Sequence, residues 1–361
     1  KGKMNSYALF AEHLRSLMNP RGRAGVIVPT GIATDDTTKL FFGDLIEKQT
    51  VVDLYDFENR EKLFPAITTL MKFCLLTLSA QPVGRAQFVF FATRVEHLSD
   101  ERRRFSLDPA EISLFNPNTH TLPVFRTRID MELTRFIYQH IPVLVNERTG
   151  ENPWGVSFLA MFHMANDSGL FITEPRQGYV RLYEGKMFGQ YDHRWGTFEG
   201  NNIRELSAAE KDDPNFLSNP RYWVPKQEVE KRLQGYNRNW LIVFRNITRS
   251  IDERTSICTV IPNDGVGHSA PLVFSNYDSL LVGCLLVNLL NISYDYIVRL
   301  KIGGVNFTYG YFRQLPVFPP NTYSSSAISF IIPRIFELIY TAWDLKSFAD
   351  DLWREALTSA S

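Results

Sequence analysis

Net charge is the first thing this sequence lacks. Its 361 residues carry 39 Lys and Arg against 39 Asp and Glu, so no global field draws the chain to nucleic acid. Any anion-binding face has to be a local basic patch balanced by acid elsewhere. Cysteine is scarce: Cys74, Cys258 and Cys284 lie far apart in apolar runs. An odd number without metal-type spacing argues against a disulfide framework and predicts buried, reduced thiols. No apolar run approaches the ~20 residues needed to span a bilayer, so no membrane partner is expected. The chain opens at Lys1-Gly2-Lys3 with neither a signal peptide nor an initiator Met, which predicts a piece of a longer, cytoplasmic protein. Internal repeats and low-complexity tracts are absent too. Aromatics, by contrast, are plentiful at 13%, with 27 Phe and 15 Tyr, enough for several small cores or for stacking surfaces. With 44% apolar and 22% charged residues, the length suffices for two folded domains.

The first hundred residues read as alternating helix and strand. Helical spacing of apolar residues covers 4–18 and stops at Asn19-Pro20-Arg21-Gly22. Residues 24–28 form an uninterrupted apolar run, as in a strand covered on both faces. Asp35 or Asp36 can cap a helix through Leu40, Phe41, Leu45 and Ile46. Strands follow at 51–57, 72–79 and 87–92. A helix between buried strands implies a parallel crossover in an α/β sheet, and the last two strands are close enough for a hairpin. Charge-dense 96–104, a turn at Asn116-Pro117 and a helix over 128–141 read as a connector. Beyond it the segments are short and aromatic-rich, with strands at 156–162, 240–244 and 257–261. Helices are expected at 277–290 and 293–300, with one or two closing helices over 326–357.

Four stretches bear on chemistry. The first is Asp56-Phe57-Glu58-Asn59-Arg60 followed by Leu63-Phe64-Pro65-Ala66. A loop between two sheet strands can hold an aromatic beyond the sheet edge, and an aromatic face stacks on a base extruded from a duplex. Equally, Phe64 can pack in the core while Pro65 shapes the loop. The second stretch runs from Tyr183-Glu184-Gly185-Lys186-Met187-Phe188-Gly189 to Gln190-Tyr191-Asp192-His193-Arg194-Trp195, with Pro220-Arg221-Tyr222-Trp223-Val224 as its companion. Here Lys186, Arg194 and Arg221 interleave with aromatics, a pattern suited to phosphates and base edges. The competing reading is an ion-pair network of Asp192, His193 and Arg194 bracing an aromatic core. A metal site is not expected, because adjacent Asp192 and His193 lack a third ligand at fitting spacing. The third stretch is Arg245 to Arg249 with Arg254 beyond, suited to backbone contact or to an exposed turn. The fourth, around Gly303-Gly304 with Lys301 and Asn306 beside it, lets backbone approach a phosphate, or simply stops a helix.

These stretches carry a resemblance. The opening Lys3-Met4-Asn5-Ser6-Tyr7-Ala8-Leu9-Phe10 and Gly22-Arg23-Ala24-Gly25-Val26-Ile27-Val28-Pro29-Thr30 resemble the segment that follows the Asn-Pro-Pro-Tyr/Phe motif of adenine-N6 DNA methyltransferases, of the TaqI-like and type IIG fused kind. The 183–195 and 220–224 runs resemble signatures of large restriction and phage-defence methyltransferases, and the run from Arg299 to Val317 is similar to the end of TaqI-like specificity domains. The resemblance implies that Phe64, with Pro65, stacks on the flipped adenine. It also implies DNA contacts by Lys186, Arg194, Arg221, Arg245, Arg249, Lys301 and Asn306. The cofactor motif and Asn-Pro-Pro-Tyr/Phe occur nowhere here, so S-adenosylmethionine is expected to bind upstream and this piece alone to be inactive.

The implied architecture is α/β over 1–95, the C-terminal part of a Rossmann-like methyltransferase sheet. A helical connector at 96–141, an α+β target-recognition domain at 142–320 and C-terminal helices at 321–361 follow. Double-stranded DNA is the expected partner, with restriction or defence-system subunits as further ones. Two rivals stand beside this reading: a non-catalytic recognition or docking module of a defence complex, and an unrelated hydrolase or carbohydrate-binding enzyme.

Overall fold

The computed structural model describes residues 5–69, 71–302 and 305–359. The chain divides into two compact units, 1–151 and 152–361, each with its own core.

In the first unit, helix α1 (Ser6–Ser16) leads into β1 (Arg23–Pro29), the short helix α2 (Gly31–Thr34), α3 (Lys39–Glu47) and β2 (Val51–Glu58). Strands β3 (Lys72–Ser79), β4 (Ala86–Ala92) and β5 (Phe105–Leu107) and helices α4 (Pro109–Phe115) and α5 (Arg128–His140) complete it. Leu54, Leu76, Leu78, Phe88 and Phe90 are fully buried in its sheet, whose strand order is β1-β3-β2-β4-β5. Strands β1 and β2 run in the same direction, as the crossover through α3 requires, but β3 lies between them and antiparallel to both. The expected β3–β4 hairpin does not form. The link after β3 passes the start of β2, where the Val83 amide donates to the Gln49 carbonyl at 2.8 Å, and β4 then pairs parallel to β2 on its other side. Helix α3 begins at Lys39 without a side-chain cap; the Thr38 hydroxyl at its start donates to the carbonyls of Gly31 and Asp35 instead.

The supposed connector is part of this unit. Strand β5 extends the sheet antiparallel to β4, and Arg85 joins the sheet to Asp108 and Glu111 at the start of α4. Thr127 and Asp130 form a reciprocal capping box that fixes the start of α5. The expected boundaries at 95 and 141 therefore give way to one between 151 and 152.

The second unit contains β6 (Ser157–Leu159), β7 (Tyr179–Tyr183), the hairpin β8 (Gly196–Glu199) and β9 (Asn202–Glu205), α6 (Ala208–Asp212), β10 (Trp223–Pro225) and α7 (Lys226–Arg232). Next come β11 (Trp240–Phe244), β12 (Cys258–Pro262), β13 (Gly265–Val266), β14 (Leu272–Phe274), α8 (Ser279–Leu290) and α9 (Ile292–Lys301). Helices α10 (Tyr309–Arg313), α11 (Ser325–Ile339) and α12 (Lys346–Ser359) close it. Sheets β12-β11-β14-β6 and β10-β7-β13 share one core with Met187, Phe188 and Phe198. Every residue of β11 and β12 is buried, which is why β11 reads as an unbroken apolar run and β12 as one interrupted only by Thr259. Helix α8 is apolar on almost all sides because β12 and the closing helices α11 and α12 surround it. Trp240 of β11 donates to Asp351 of α12 at 2.9 Å, so the closing helices belong to this unit and form no separate segment after 320. Asn291 ends α8 and caps α9 with its own side chain, and the two helices meet at 56°. No single helix among the described residues is long and apolar enough to cross a membrane.

Candidate functional site

The loop between β2 and β3 is organised by one side chain. Asn59, fully buried at the end of β2, donates through Nδ2 to the carbonyls of Phe64 and Ile67 at 3.0 Å and of Thr68 at 3.4 Å. Its Oδ1 accepts from the Phe64 amide at 2.9 Å. An amide side chain has two donors and an acceptor to offer, and this loop uses both kinds. Lys62 enters the left-handed region with φ +55°, which turns the chain outward after Asn59. With the main chain held, the apolar side chains face out: Leu63, Phe64, Ile67 and Met71 are all exposed. Phe64, 39% exposed, makes a T-shaped contact with Phe73 at 4.9 Å, and Phe73 stacks on Phe57 at 5.3 Å. Phe64 is thus packed against Phe73 yet partly exposed, next to an exposed Pro65. Phe64 is neither fully buried nor free: it packs on Phe73 at the margin of the core cluster of Phe57, Val89 and Ala92. Asn59 was legible only as part of Glu58-Asn59-Arg60, with nothing in the pattern to single it out.

The 183–195 segment is the reverse case. Tyr183, Met187 and Phe188 are buried, and a β-carbon on Gly185 would stand 2.7 Å from the Ser269 carbonyl oxygen. One on Gly189 would meet the Trp195 ring at 2.9 Å, so both glycines are required by close packing. Arg194 is completely buried. Its Nη1 donates to the carbonyls of Asp213 (2.7 Å) and Phe216 (3.2 Å), and its Nη2 to those of Lys211 (2.9 Å) and Thr341 (2.8 Å). Arg194 is therefore removed from the DNA-contact set: both of its Nη groups are taken by main-chain carbonyls, and burial puts the guanidinium out of reach of any phosphate. His193, also fully buried, shares Asp344 with Arg181 at 2.8 and 2.9 Å, and Arg181 reaches Asp264 at 2.8 Å. Burial works to raise the Asp344 carboxyl, but His193 and Arg181 outweigh it and hold it at about 2. Asp264 moves the other way, raised by burial against the pull of Arg181. The local ion-pair network of Asp192, His193 and Arg194 does not form: His193 pairs with distant Asp344, and Arg194 meets Asp192 only through its main-chain amide, at 2.9 Å.

From this buried segment Lys186 emerges. It is exposed, makes no ion pair with any described residue, and lines a cleft of about 390 Å³ with Glu184, Arg221, Arg245, His268 and Asn201. Arg221 pairs with Glu184 through both nitrogens at 3.1 and 3.2 Å and lies over the rings of Tyr222 and Phe198. Burial raises the Glu184 carboxyl, and Arg221 pulls it part of the way back. Arg245 donates to the carbonyls of Gly185 (2.7 Å) and Phe188, and burial lowers its guanidinium. The cleft therefore combines one free cation with two arginines already engaged.

The remaining candidates scatter. Arg249 is exposed and paired with Asp252 at 2.9 Å, and exposed Asn306 forms an isolated bridge with Ile247. Lys301 is buried, its Nζ donating to the Gln314 carbonyl at 3.0 Å, and burial pushes its ammonium well below the usual lysine range. It too leaves the DNA-contact set. Gly303 and Gly304 lie outside the described residues. Cys74, Cys258 and Cys284 are buried free thiols.

No family model and no curated protein matches the sequence. Among solved structures, the chain is similar to the type IIL restriction–modification enzyme MmeI in complex with DNA, with a TM-score of 0.45 at 9% identity over 98% of this chain and 48% of that one. The type IIG restriction endonuclease BpuSI gives a TM-score of 0.33 at 13% identity, over 93% of this chain and 44% of that one. The chain thus spans less than half the length of either, and at these scores neither likeness bears on the chemistry of any residue.

Proposed function

We propose that this chain is the C-terminal part of a site-specific DNA adenine-N6 methyltransferase of a restriction–modification or phage-defence system. In this reading its first unit holds the extruded base and its second unit reads the DNA. The observation that carries the reading is the loop fastened by Asn59, whose bonds hold its main chain while Phe64 stays partly exposed. A base leaving a duplex loses its stacking partners, and an aromatic face restores about 1–3 kcal/mol of that loss. The motif resemblance supplies the identity of the base, because it puts Phe64-Pro65 where the adenine-stacking pair belongs.

In this division of labour Phe64 orients the adenine and excludes water from one of its faces. Lys186 meets a phosphate, while Arg221, Arg245, Arg249 and Asn306 position or contact DNA around it. S-adenosylmethionine supplies the methyl group. The cofactor loop and the Asn-Pro-Pro-Tyr/Phe motif do not occur in this sequence, so no residue here is assigned to holding the cofactor or to orienting the target amine. The test uses an active enzyme that contains this chain, with 2-aminopurine at the target adenine. Phe64→Ala is expected to cut methylation at least tenfold and change the fluorescence of the extruded base; unaltered methylation would sink the assignment.

A further inference from the structure

At the end of β4 the backbone leaves the regular sheet. Tyr55 of β2 faces Val89, but Phe57 faces Ala92, so Phe90 and Phe91 together stand opposite Asp56. Such a bulge re-aims a side chain, and bulges cluster beside functional sites. Phe91 within it has φ +56°, a left-handed conformation that a bulky aromatic rarely adopts. Something must hold it there. The buried carboxylate of Asp56 accepts the Phe91 amide at 2.9 Å and the Thr30 hydroxyl at 2.5 Å, and Arg103 donates to the Phe91 carbonyl at 3.3 Å.

What this arrangement presents is a ring that two cations pack against. The Lys72 ammonium stands 4.3 Å from the centroid of Phe91, and the Arg126 guanidinium stands 4.1 Å from it. Two like charges held against one ring repel each other, and the attraction of the ring's negative face offsets that only in part. Lys72 has a loose counter-ion in Glu58 at 3.6 Å, which Arg60 holds more closely at 2.6 Å. Arg126 is exposed and makes no ion pair with any described residue. Arg126 is thus left without a counter-ion among the described residues, while Lys72 has Glu58 and the charge of the buried Asp56 nearby. Lys72 also follows directly from the loop that bears Phe64.

We propose that Lys72 and Arg126, both packed on Phe91, act as a clamp on backbone phosphates of double-stranded DNA. This rests on the DNA reading given above and adds a contact made by the first unit itself. A planar guanidinium fork is suited to phosphate oxygens, and an exposed side chain reaches a polymer's backbone without enclosing it. The left-handed turn at Phe91 keeps the platform rigid, so the two cations are ordered before the DNA arrives.

The test is binding of the whole chain to a fluorescent duplex of mixed sequence across a salt series, with far-UV circular dichroism and thermal melting as fold controls. Arg126→Gln and Lys72→Gln are each expected to weaken binding several-fold on every sequence. Each should also lower the slope of log affinity against log salt by about one. Arg126→Lys should keep the slope. Phe91→Gly, which suits the left-handed backbone, should fold well yet lose affinity because the cations lose their platform. If the wild-type chain binds with a salt slope that both charge-removing variants leave unchanged, the clamp alone is overturned. If the wild-type chain shows no salt-dependent binding, the DNA reading and the clamp fall together.

Discussion

The loop between β2 and β3 and the 183–195 segment use hydrogen bonds in opposite directions. In the loop, one buried side chain reaches out to the main chain of its neighbours, and their side chains are left facing solvent. In the segment, the charged side chains reach inward: Arg194 takes four carbonyls, His193 takes Asp344, and Lys186 is left at the surface. A basic residue in an aromatic setting therefore says little about where it points. What decides is whether unpaired carbonyls or carboxylates lie within reach inside the fold, because a buried guanidinium without them is too costly to keep.

The largest expected effect tests the inward side of that contrast. Arg194→Ala should destabilise the second unit by about 3–5 kcal/mol, since it orphans several buried carbonyls at once. Urea unfolding followed by tryptophan fluorescence reports it, and a midpoint within error of wild type would remove the structural role given to Arg194. The pH dependence of the same unit is the next test. Asp344, held at about 2 against an ordinary 3.8, releases its proton more readily folded than unfolded. It therefore contributes about 2 kcal/mol that is fully present above pH 3.8 and lost as pH falls from there towards 2. Asp264, shifted upward, acts oppositely, so the comparison to make is wild type against Asp344→Asn, whose acid unfolding should be flatter in that window.

On the outward side, Asn59→Ala should cost about 1–3 kcal/mol and free the loop. Hydrogen exchange at the Phe64 amide is the direct readout; unchanged protection there would mean that Asn59 does not hold the loop. Phe64→Ala should cost less than about 1 kcal/mol, because the side chain is already partly exposed. A larger loss in thermal melting would mark Phe64 as core. The smallest effect belongs to Lys186→Ala, with stability within about 0.5 kcal/mol and the salt slope of DNA binding lower by about one. A variant that binds like wild type would take Lys186 out of the interface.

The two regions also differ in how much of them the sequence disclosed. Periodicity located most elements, and β11 at Trp240–Phe244 falls where its apolar run predicts. Pairing order was not legible. Nothing in 72–79 announces insertion between β1 and β2, and nothing in 80–85 announces that the next link passes the start of β2, where Val83 meets Gln49. The loop bearing Phe64 could be placed from the strands on either side, whereas Asn59, which shapes it, looked like any turn asparagine. Arg194 and Lys301 misled because their acceptors, the carbonyls of residues 211, 213, 216, 314 and 341, are main-chain atoms that leave no mark in the side-chain pattern. The bulge at Phe91 was equally hidden: a left-handed phenylalanine has the same letter as an extended one.

The four carbonyls around Arg194 have a consequence for variation. Because the guanidinium grips main chain only, the side chains at 211, 213, 216 and 341 take no part in those bonds. The segments that carry them can change composition, and with it whatever surface they present, while the same rivet goes on joining α6, the stretch after it and the turn before α12. A frame fastened through its peptide groups leaves its exterior open to redesign, by selection or in the laboratory, at positions where a side-chain clasp would have fixed the residue.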